Sequence, residues 1–204
     1  KKKYNLKFNE IKLIKGAGVD LKKYKFINKN NSKNILLPAR VIKEKGIEEF
    51  ILASLSLSKK YPDWNFIVAG TLDYQKQSNL TKERINSLNK NNLVKFLGYV
   101  KDMSKLYKKC SIVCLPSYRE GFSRTLQEAA SMGLPVVTTS VVGCKDSIIP
   151  NVTGLLCKAR NPNSLEKKLS ILISNKRKRL KFGVNGRKLA EKEFNLKNVI
   201  DSNL

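Results

Sequence analysis

Two acidic residues, Glu120 and Glu128, lie in the stretch SYREGFSRTLQEAASMGLPVV of an otherwise strongly basic chain. The chain has 41 Lys and Arg residues but only 16 Asp and Glu residues, and its formal net charge is +25. The apolar run IVCLP precedes the two acids, and a helix is predicted to begin near Ser123 or Arg124. Because the first N–H groups of a helix attract anions, and Gly121 lets the backbone approach closely, this junction predicts a phosphate site.

The same geometry predicts what the two acids contact. Glu120 falls in the turn before the helix, and Glu128 falls one to two turns inside it. A bound phosphate would repel a carboxylate, whereas sugar and ribose hydroxyl groups can donate hydrogen bonds to it. The alternative is a surface role for both acids. The residues AASMGLPVV that follow favour a buried helix, in which an unpartnered carboxylate is costly, so we interpret the acids as functional.

Two cations, Arg40 and Lys45, follow the first apolar run, NILLPA (34–39). They are predicted to lie at the carboxyl end of a strand, where open α/β sheets bind ligands. Their spacing fits a diphosphate, and a solvated loop in a lysine-rich chain is the alternative. The nearby GAGVDL sequence (16–21) lacks the third glycine of a dinucleotide fingerprint. Gly16 is instead predicted to form a tight turn close to a ligand or a neighbouring domain.

The residue types that are missing exclude other chemistry. The chain contains no histidine, which argues against Ser–His and Cys–His nucleophiles, and it contains no Asp-x-Asp pair. Its cysteines at positions 110, 114, 144 and 157 include no C-x-x-C pair. We therefore expect no metal, no cofactor and buried thiols. No apolar run reaches the ~18 residues of a membrane helix, and no signal peptide is recognisable, so we expect a cytoplasmic protein.

Apolar runs and helical patterns alternate along the chain. Strands are predicted at 34–39, 65–70, 93–98, 111–117 and 135–139, with helices between them. Apolar strands separated by helices are typical of a parallel sheet covered on both sides, so the predicted fold class is α/β, a Rossmann-like doubly wound parallel sheet. After Gly154 the pattern predicts two basic amphipathic helices, at 161–174 and 176–194, and no further long strand.

These motifs together resemble the E-x7-E region of retaining family-4 glycosyltransferases of the GT-B fold. The residues that carry the resemblance are E-G-F-x5-E behind PSYR, with EAASMGLPVVTT and G-C-x-D-x-I after it. Four upstream stretches occur in the same order as in that family: GAGVD, PARVIKEKGIEEFILA, FIVAG and VKFLGYVKDM. The resemblance implies the C-terminal, donor-binding half of a two-domain enzyme, without the acceptor-binding half.

The resemblance also divides the chain into three parts. Residues 1–33 are predicted to be a lead-in strand and interdomain linker, residues 34–194 the nucleotide-sugar donor-binding domain, and residues 195–204 the truncated start of a C-terminal helix. The chain begins without Met, and NLKNVIDSNL starts a helical pattern that stops almost at once. We therefore expect half of a larger enzyme, inactive without its N-terminal domain.

The resemblance assigns roles to individual residues. By this resemblance, Arg40 and Lys45 are expected to bind the donor diphosphate and, together with Glu120 at the transferred sugar, to form the catalytic set. Glu128 is expected to bind the ribose hydroxyl groups. The other donor-binding residues lie in the turn and in neighbouring loops: Gly121, Phe122, Ser123, Thr125, Gly16 and, bordering the nucleobase, Gly98, Tyr99 and Val100.

The implied reaction is a retaining, metal-independent transfer of a hexosyl group from a nucleotide-diphosphate sugar. The implied acceptor is a glycan or a polyprenyl-linked glycan in surface polysaccharide synthesis, such as capsule. Basic helical faces are then expected to contact anionic lipid at the inner face of the cell membrane, although the charge excess also fits a compositional bias.

Two alternative functions stay open. A basic nucleic-acid-binding module would use the lysine surface on phosphates, but no recognition helix or aromatic platform supports it, and we expect no nucleic-acid partner. A GT-B-type sugar-nucleotide epimerase half would share the architecture, but it would need acid and base residues that this chain does not show.

Overall fold

The computed structural model describes residues 16–27, 31–72 and 80–201 of the chain. Six parallel strands form one sheet in the order β3-β2-β1-β4-β5-β6. The strands are β1 Asn34–Pro38, β2 Asn65–Ala69, β3 Lys95–Phe96, β4 Ile112–Leu115, β5 Val136–Thr139 and β6 Gly154–Cys157. This architecture confirms the predicted fold class, a Rossmann-like doubly wound α/β sheet.

Helices connect the strands and follow β6. The helices that precede β5 are α1 Ile47–Lys60, α2 Lys82–Lys90, α3 Met103–Tyr107 and α4 Arg124–Ser131. Those that follow β6 are α5 Pro162–Ser174, α6 Lys176–Leu189 and α7 Leu196–Asp201, with a π-helical turn at Ala190–Phe194. Within the described residues, none of these helices has the length and apolar character required to span a bilayer.

Each face of the sheet carries its own hydrophobic core. Along β1 the side chains alternate between faces, so that Ile35 and Leu37 join one core and Leu36 joins the other. The first core includes Phe50 of α1, and the second includes Leu126 of α4. Both faces of the central strand are therefore buried, which explains why its sequence is an apolar run rather than an alternation.

The sixth strand, β6, is absent from the sequence prediction, which has no further long strand after Gly154. β6 pairs with β5 along its whole length, from Gly154 opposite Val136 to Cys157 opposite Thr139. A side chain at Gly154 would collide with the backbone of Val136, so a glycine is needed where the strands approach. The sequence GLLC contains a glycine and no β-branched residue, whereas the equally short β4 and β5 are rich in valine, isoleucine and threonine, so its strand propensity is lower.

The strand order changes direction between β1 and β4. The chain runs outward from β1 through β2 to β3, and then returns to place β4 on the other side of β1. Open α/β sheets bind ligands at such a switch point, outside the carboxyl ends of the strands. Arg40 and Lys45 follow β1, and Glu120 and Glu128 follow β4, so the topology brings the predicted residues to this point.

The segment before β1 packs across α4 and the C-terminal turn. The N–H of Val19 donates to the Phe194 carbonyl at 2.7 Å, and the N–H of Leu196 donates to the Val19 carbonyl at 3.1 Å. The N–H of Ile27 donates to the Met132 carbonyl at 3.0 Å. The described part of this segment contains turns and one isolated bridge. The EIKLIK run (10–15), from which a lead-in strand is predicted, lies outside the described residues.

Candidate functional site

Lys45 and Glu120 form an ion pair across the switch point. Nζ of Lys45 lies 2.5 Å from Oε1 of Glu120, and the Ser117 hydroxyl donates to the same oxygen at 2.8 Å. The two charged side chains are only 20% and 14% exposed, respectively. The N–H of Tyr118 also donates to the Glu44 carbonyl at 2.9 Å. The loop after β1 is thus fixed to the turn after β4.

Two glycines allow the loops of the site to pack this closely. Gly46 adopts φ 71° at the end of a 3-10 turn, and a side chain there would collide with the backbone of Pro116. Gly143 adopts φ 81°, and a side chain there would collide with the carbonyl groups of Glu120 and Gly121. Both positions combine a left-handed backbone with a close approach, which only glycine tolerates without strain. The turn that carries Glu120 is therefore held from two sides.

The carboxylate of Glu128 is surrounded by hydrogen-bond donors. The Tyr24 hydroxyl donates to Oε1 at 2.8 Å, the Tyr107 hydroxyl donates to Oε2 at 3.1 Å, and Nε of Arg124 donates to Oε1 at 3.2 Å. Glu128 is 8% exposed. Burial raises the pKa of both tyrosines, and their interaction with Glu128 raises it further, so both phenols remain protonated donors at neutral pH.

The donors around Glu128 differ from the expectation from the sequence. A ligand is expected to supply the partners of a buried Glu128, whereas the protein itself supplies three. Tyr24 and Tyr107 are missed because they lie 104 and 21 positions away from Glu128 along the chain. The available signal is indirect: a buried carboxylate must have donors from somewhere. Burial of Glu128 alone therefore does not establish a ligand.

Glu128 lines a cleft of about 330 Å³ at the carboxyl edge of the sheet. Arg40 contributes from the loop after β1, Tyr99 and Val100 contribute from the loop after β3, and Thr125 contributes from the first turn of α4. The structure thus brings five of the predicted site residues together around one cavity. They come from three separate parts of the chain, the loop after β1, the loop after β3 and α4, which the sheet topology brings to one edge.

Other predicted residues do not line this cleft. As far as the structure describes the chain, the lining of the cleft does not include Gly16, Lys45, Glu120 or Gly121. Gly16 adopts φ 76° and lies against the Phe122 ring, which in turn packs edge-on against Phe194 with centroids 5.6 Å apart. Gly16 and Phe122 therefore anchor the Glu120 turn to the rest of the fold.

The start of α4 presents backbone N–H groups at the same edge. The N–H groups of Gly121, Phe122, Arg124 and Thr125 donate to no other residue in the part of the chain that the structure describes. Ser123 differs, because it is 5% exposed and its N–H donates to Oγ of Ser147 at 3.2 Å. The Thr125 hydroxyl donates to the Pro38 carbonyl at 3.3 Å, which ties α4 to the end of β1. The open amides can serve as an anion site.

The structure explains the glycine at only one of two predicted positions, Gly98 and Gly121. Gly98 adopts φ 65°, and its carbonyl accepts the N–H of Gly70 at 2.8 Å. A side chain at Gly98 or at Gly121 would lie in open space. The backbone conformation accounts for glycine at position 98. Neither conformation nor packing accounts for it at Gly121.

The cysteines are buried thiols, as predicted. All four are free and buried, and burial raises the pKa of Cys110 and of Cys157 to about 12. Over residues 16–27, 31–72 and 80–201, no group of three or more cysteine, histidine, aspartate or glutamate side chains is placed to hold a metal ion.

Relatives of this chain include named bacterial glycosyltransferases. A Campylobacter jejuni protein named N,N'-diacetylbacillosaminyl-diphospho-undecaprenol alpha-1,3-N-acetylgalactosaminyltransferase is 31% identical over 194 residues, which cover 88% of this chain and 50% of the relative. The Staphylococcus aureus capsular polysaccharide biosynthesis glycosyltransferase CapM is 28% identical over 155 residues, covering 76% of this chain and 40% of CapM. The chain therefore spans about half the length of these relatives.

Solved structures show the same fold. The C-terminal domain of LpcC, a glycosyl transferase group 1 family protein from Francisella tularensis, matches with a TM-score of 0.78 and 26% identity, covering 87% of this chain and 99% of that domain. Anabaena HepE in complex with UDP matches with a TM-score of 0.80 and 24% identity, covering 91% of this chain and 54% of HepE. The likeness agrees with the predicted C-terminal half of a GT-B glycosyltransferase.

A family model described as "Glycosyl transferases group 1" matches residues 20–189. The matched range includes β1 to β6, the Lys45–Glu120 ion pair and the cleft around Glu128. The chain belongs to the family of glycosyl transferases group 1.

Proposed function

We propose that this chain is the donor-binding domain of a retaining, metal-independent glycosyltransferase. The enzyme transfers a hexosyl group from a nucleotide-diphosphate sugar to a glycan or polyprenyl-linked acceptor in surface polysaccharide synthesis. A preceding N-terminal domain binds the acceptor and is needed for transfer, residues 1–33 include the linker to it, and residues 195–204 belong to a C-terminal helix. The isolated chain binds the donor and transfers nothing.

One observation carries this proposal: the switch point of the sheet combines a cleft lined by Arg40 and Glu128 with the adjacent Lys45–Glu120 ion pair. The cleft has the size and the mixed lining expected of a small-ligand site, and its position is the one that open α/β sheets use. Cations and open amides suit phosphates, and carboxylates suit hydroxyl groups. A nucleotide-diphosphate sugar is a ligand class that carries both kinds of group.

In the proposed reaction, an acceptor hydroxyl attacks the anomeric carbon on the face from which the diphosphate leaves. The bond between that carbon and the diphosphate oxygen breaks, and the leaving oxygen takes the proton of the acceptor hydroxyl. Arg40, Lys45 and the amides at the start of α4 balance the charge that develops on the diphosphate. Glu120 orients the transferred sugar, and Glu128 binds the ribose hydroxyl groups. Tyr99 and Val100 border the base.

The relatives support the choice of donor and acceptor class. The Campylobacter relative is named for transfer to a diphospho-undecaprenol-linked sugar, and CapM is named for capsular polysaccharide biosynthesis. HepE has been solved in complex with UDP and with UDP-glucose. A uridine nucleotide sugar is accordingly the first donor to test.

The solvent-facing side of α6 supports the proposal that the protein binds the inner face of the cell membrane. Arg177, Lys181 and Lys188 are exposed there, and Leu180 and Val184 are 40% and 43% exposed between them. Spacings of three and four residues put these side chains on one helical face. Basic and apolar residues on one face are typical of helices that lie on anionic lipid.

A panel of UDP-, GDP- and ADP-sugars in a thermal-shift assay tests donor binding. At least one should raise the melting temperature, because a ligand at about 100 times its Kd stabilises the folded state by about 2.7 kcal/mol. Glu128→Ala should weaken binding of that donor by roughly 1–3 kcal/mol, measured by calorimetry. Glu166→Ala, which removes a carboxylate on α5 outside the cleft, is the matched control. If no nucleotide sugar binds the wild type, or if Glu128→Ala binds like the wild type, the proposal is wrong.

A further inference from the structure

Two tyrosine hydroxyls from separate parts of the chain hold Glu128. Tyr24 lies in the segment before β1, and Tyr107 lies at the end of α3. Tyr24 is 4% exposed, Tyr107 is fully buried, and their rings meet edge-on with centroids 6.1 Å apart. Each phenol limits the movement of the other, and each donates to a different oxygen of the carboxylate. The position of Glu128 is therefore set by residues outside α4.

The backbone around Tyr24 is fixed as well. Its N–H donates to the Asp20 carbonyl at 2.9 Å, and its own carbonyl accepts a hydrogen bond from Arg187 at 3.3 Å. Arg187 also donates to the Ser131 carbonyl, at the end of α4, at 2.9 Å. The backbone of Tyr24 is thus attached, through Arg187, to the same helix that carries Glu128.

The hydrogen bonds leave Glu128 a limited capacity for a ligand. A carboxylate offers about four acceptor positions. Tyr24 and Arg124 occupy Oε1, and Tyr107 occupies one position on Oε2. The Arg124 side chain is 69% exposed, so it can yield its position to a ligand at little cost. Because Tyr107 and Glu128 both line the cleft, the remaining positions are available at its surface.

We propose that Tyr24 and Tyr107 are positioning residues that aim the Glu128 carboxylate at the ribose hydroxyl groups of the donor, and that they thereby set a preference for ribonucleotides over deoxyribonucleotides. This inference rests on the proposed function. Two further hydroxyl groups fit the acceptor positions that the tyrosines leave, one on Oε2 and one in place of Arg124. A phenylalanine at either position would keep the ring packing and remove one donor.

The test compares each variant on two ligands. The nucleoside diphosphate that binds the wild-type protein most tightly, among UDP, GDP and ADP, is titrated by calorimetry beside its 2'-deoxy analogue. The wild type should prefer the ribonucleotide by about tenfold or more, and Glu128→Ala should remove this preference. Tyr24→Phe and Tyr107→Phe should each reduce the ribonucleotide preference by roughly threefold to tenfold, because they weaken ribonucleotide binding. The affinity for the 2'-deoxy analogue should stay within about twofold of the wild-type value.

Tyr61→Phe is the matched control, because the Tyr61 hydroxyl shares a 2.9 Å hydrogen bond with Ser170 away from the cleft. It should leave the preference unchanged. The deoxy analogue is an internal reference for misfolding, since a merely structural defect lowers both affinities together. Equal losses on both ligands, or an unchanged preference in both tyrosine variants, would overturn the inference and leave the proposed function intact. Failure of all three nucleotides to bind the wild type would overturn both.

Discussion

The ammonium group of Lys45 lies 2.5 Å from the carboxylate of Glu120, and the two residues follow neighbouring strands of the sheet. Lys45 is assigned to the diphosphate and Glu120 to the sugar in the proposed reaction. Because these two residues are in contact, the diphosphate and the sugar of the donor would be bound by one ion pair. A substitution at either residue should therefore affect the other.

A double-mutant cycle on this pair measures the connection. Lys45→Met and Glu120→Gln should each lower the free energy of unfolding by about 1–3 kcal/mol, because each leaves a mostly buried charge without its partner. The double variant should lose less than the sum of the two. Urea unfolding of the four proteins provides the values. Lys59→Met, at an exposed position at the end of α1, serves as control. Additive losses would show that the two charges do not interact.

Gly143→Ala should destabilise the Glu120 turn. The alanine would occupy φ 81° and press on the carbonyl groups of Glu120 and Gly121, so we expect a loss of about 2–4 kcal/mol in urea unfolding. Gly98→Ala is the control, because it shares the left-handed backbone, with φ 65°, but no atom lies near the new methyl group. It should cost about 1 kcal/mol. Equal losses in both variants would mean that the contact with the turn is unimportant.

The stability of the fold should decrease at alkaline pH. The pKa of Cys110 is raised from 9.0 to about 12 by burial, so the folded state holds a proton that the unfolded state releases. The contribution of this thiol is complete below pH 9 and is lost as the pH rises towards 12. At pH 10.5 one such thiol should reduce the free energy of unfolding by about 2 kcal/mol.

Urea unfolding at pH 7.5, 9.0 and 10.5 checks this expectation against Cys110→Ala. Cys157 has the same pKa of about 12 and stays in both proteins, so the difference between them isolates one thiol. The variant should lose less stability than the wild type between pH 9.0 and 10.5. Parallel curves would show that Cys110 is not buried as the structure describes.

The basic face of α6 should bind anionic vesicles. Sedimentation with phosphatidylglycerol vesicles at low salt should exceed that with phosphatidylcholine, since each basic residue near an anionic surface contributes about 1 kcal/mol. Replacing Arg177, Lys181 and Lys188 by glutamate should reduce the binding at least tenfold. The matched control replaces, also by glutamate, three exposed lysines that lie on other elements of the fold: Lys59 on α1, Lys90 on α2 and Lys95 on β3. Binding that falls equally in both triple variants would reflect net charge alone.

The sequence predicts the central fold well because its signals are local. β1 and β2 are apolar runs, and α1 ends at Lys60 because Pro62 disfavours helical geometry in the residue before it, Tyr61. The predicted strand at 93–98 shrinks to Lys95–Phe96, because Gly98 adopts a left-handed backbone with φ 65°, although Leu97 and Gly98 still hydrogen-bond to Val68 and Gly70. β6 is missed because GLLC contains a glycine and no β-branched residue, which lowers its strand propensity.

The contacts within the site are predicted less well because they are long-range. The sequence places Arg40, Thr125 and Glu128 correctly at one edge, since the rule for parallel sheets fixes where each loop emerges. It does not reveal that Tyr24 and Tyr107 contact Glu128. Their hydrogen bonds depend on how two distant segments pack on α4, and no spacing pattern encodes that.

The donors around Glu128 have an entropic consequence for ligand binding. Tyr24, Tyr107 and Arg124 already confine the Glu128 side chain to one rotamer. A glutamate that is free to rotate loses conformational entropy worth up to about 2 kcal/mol when a ligand immobilises it. Glu128 has little of this freedom left, so more of the free energy of each new hydrogen bond appears as affinity.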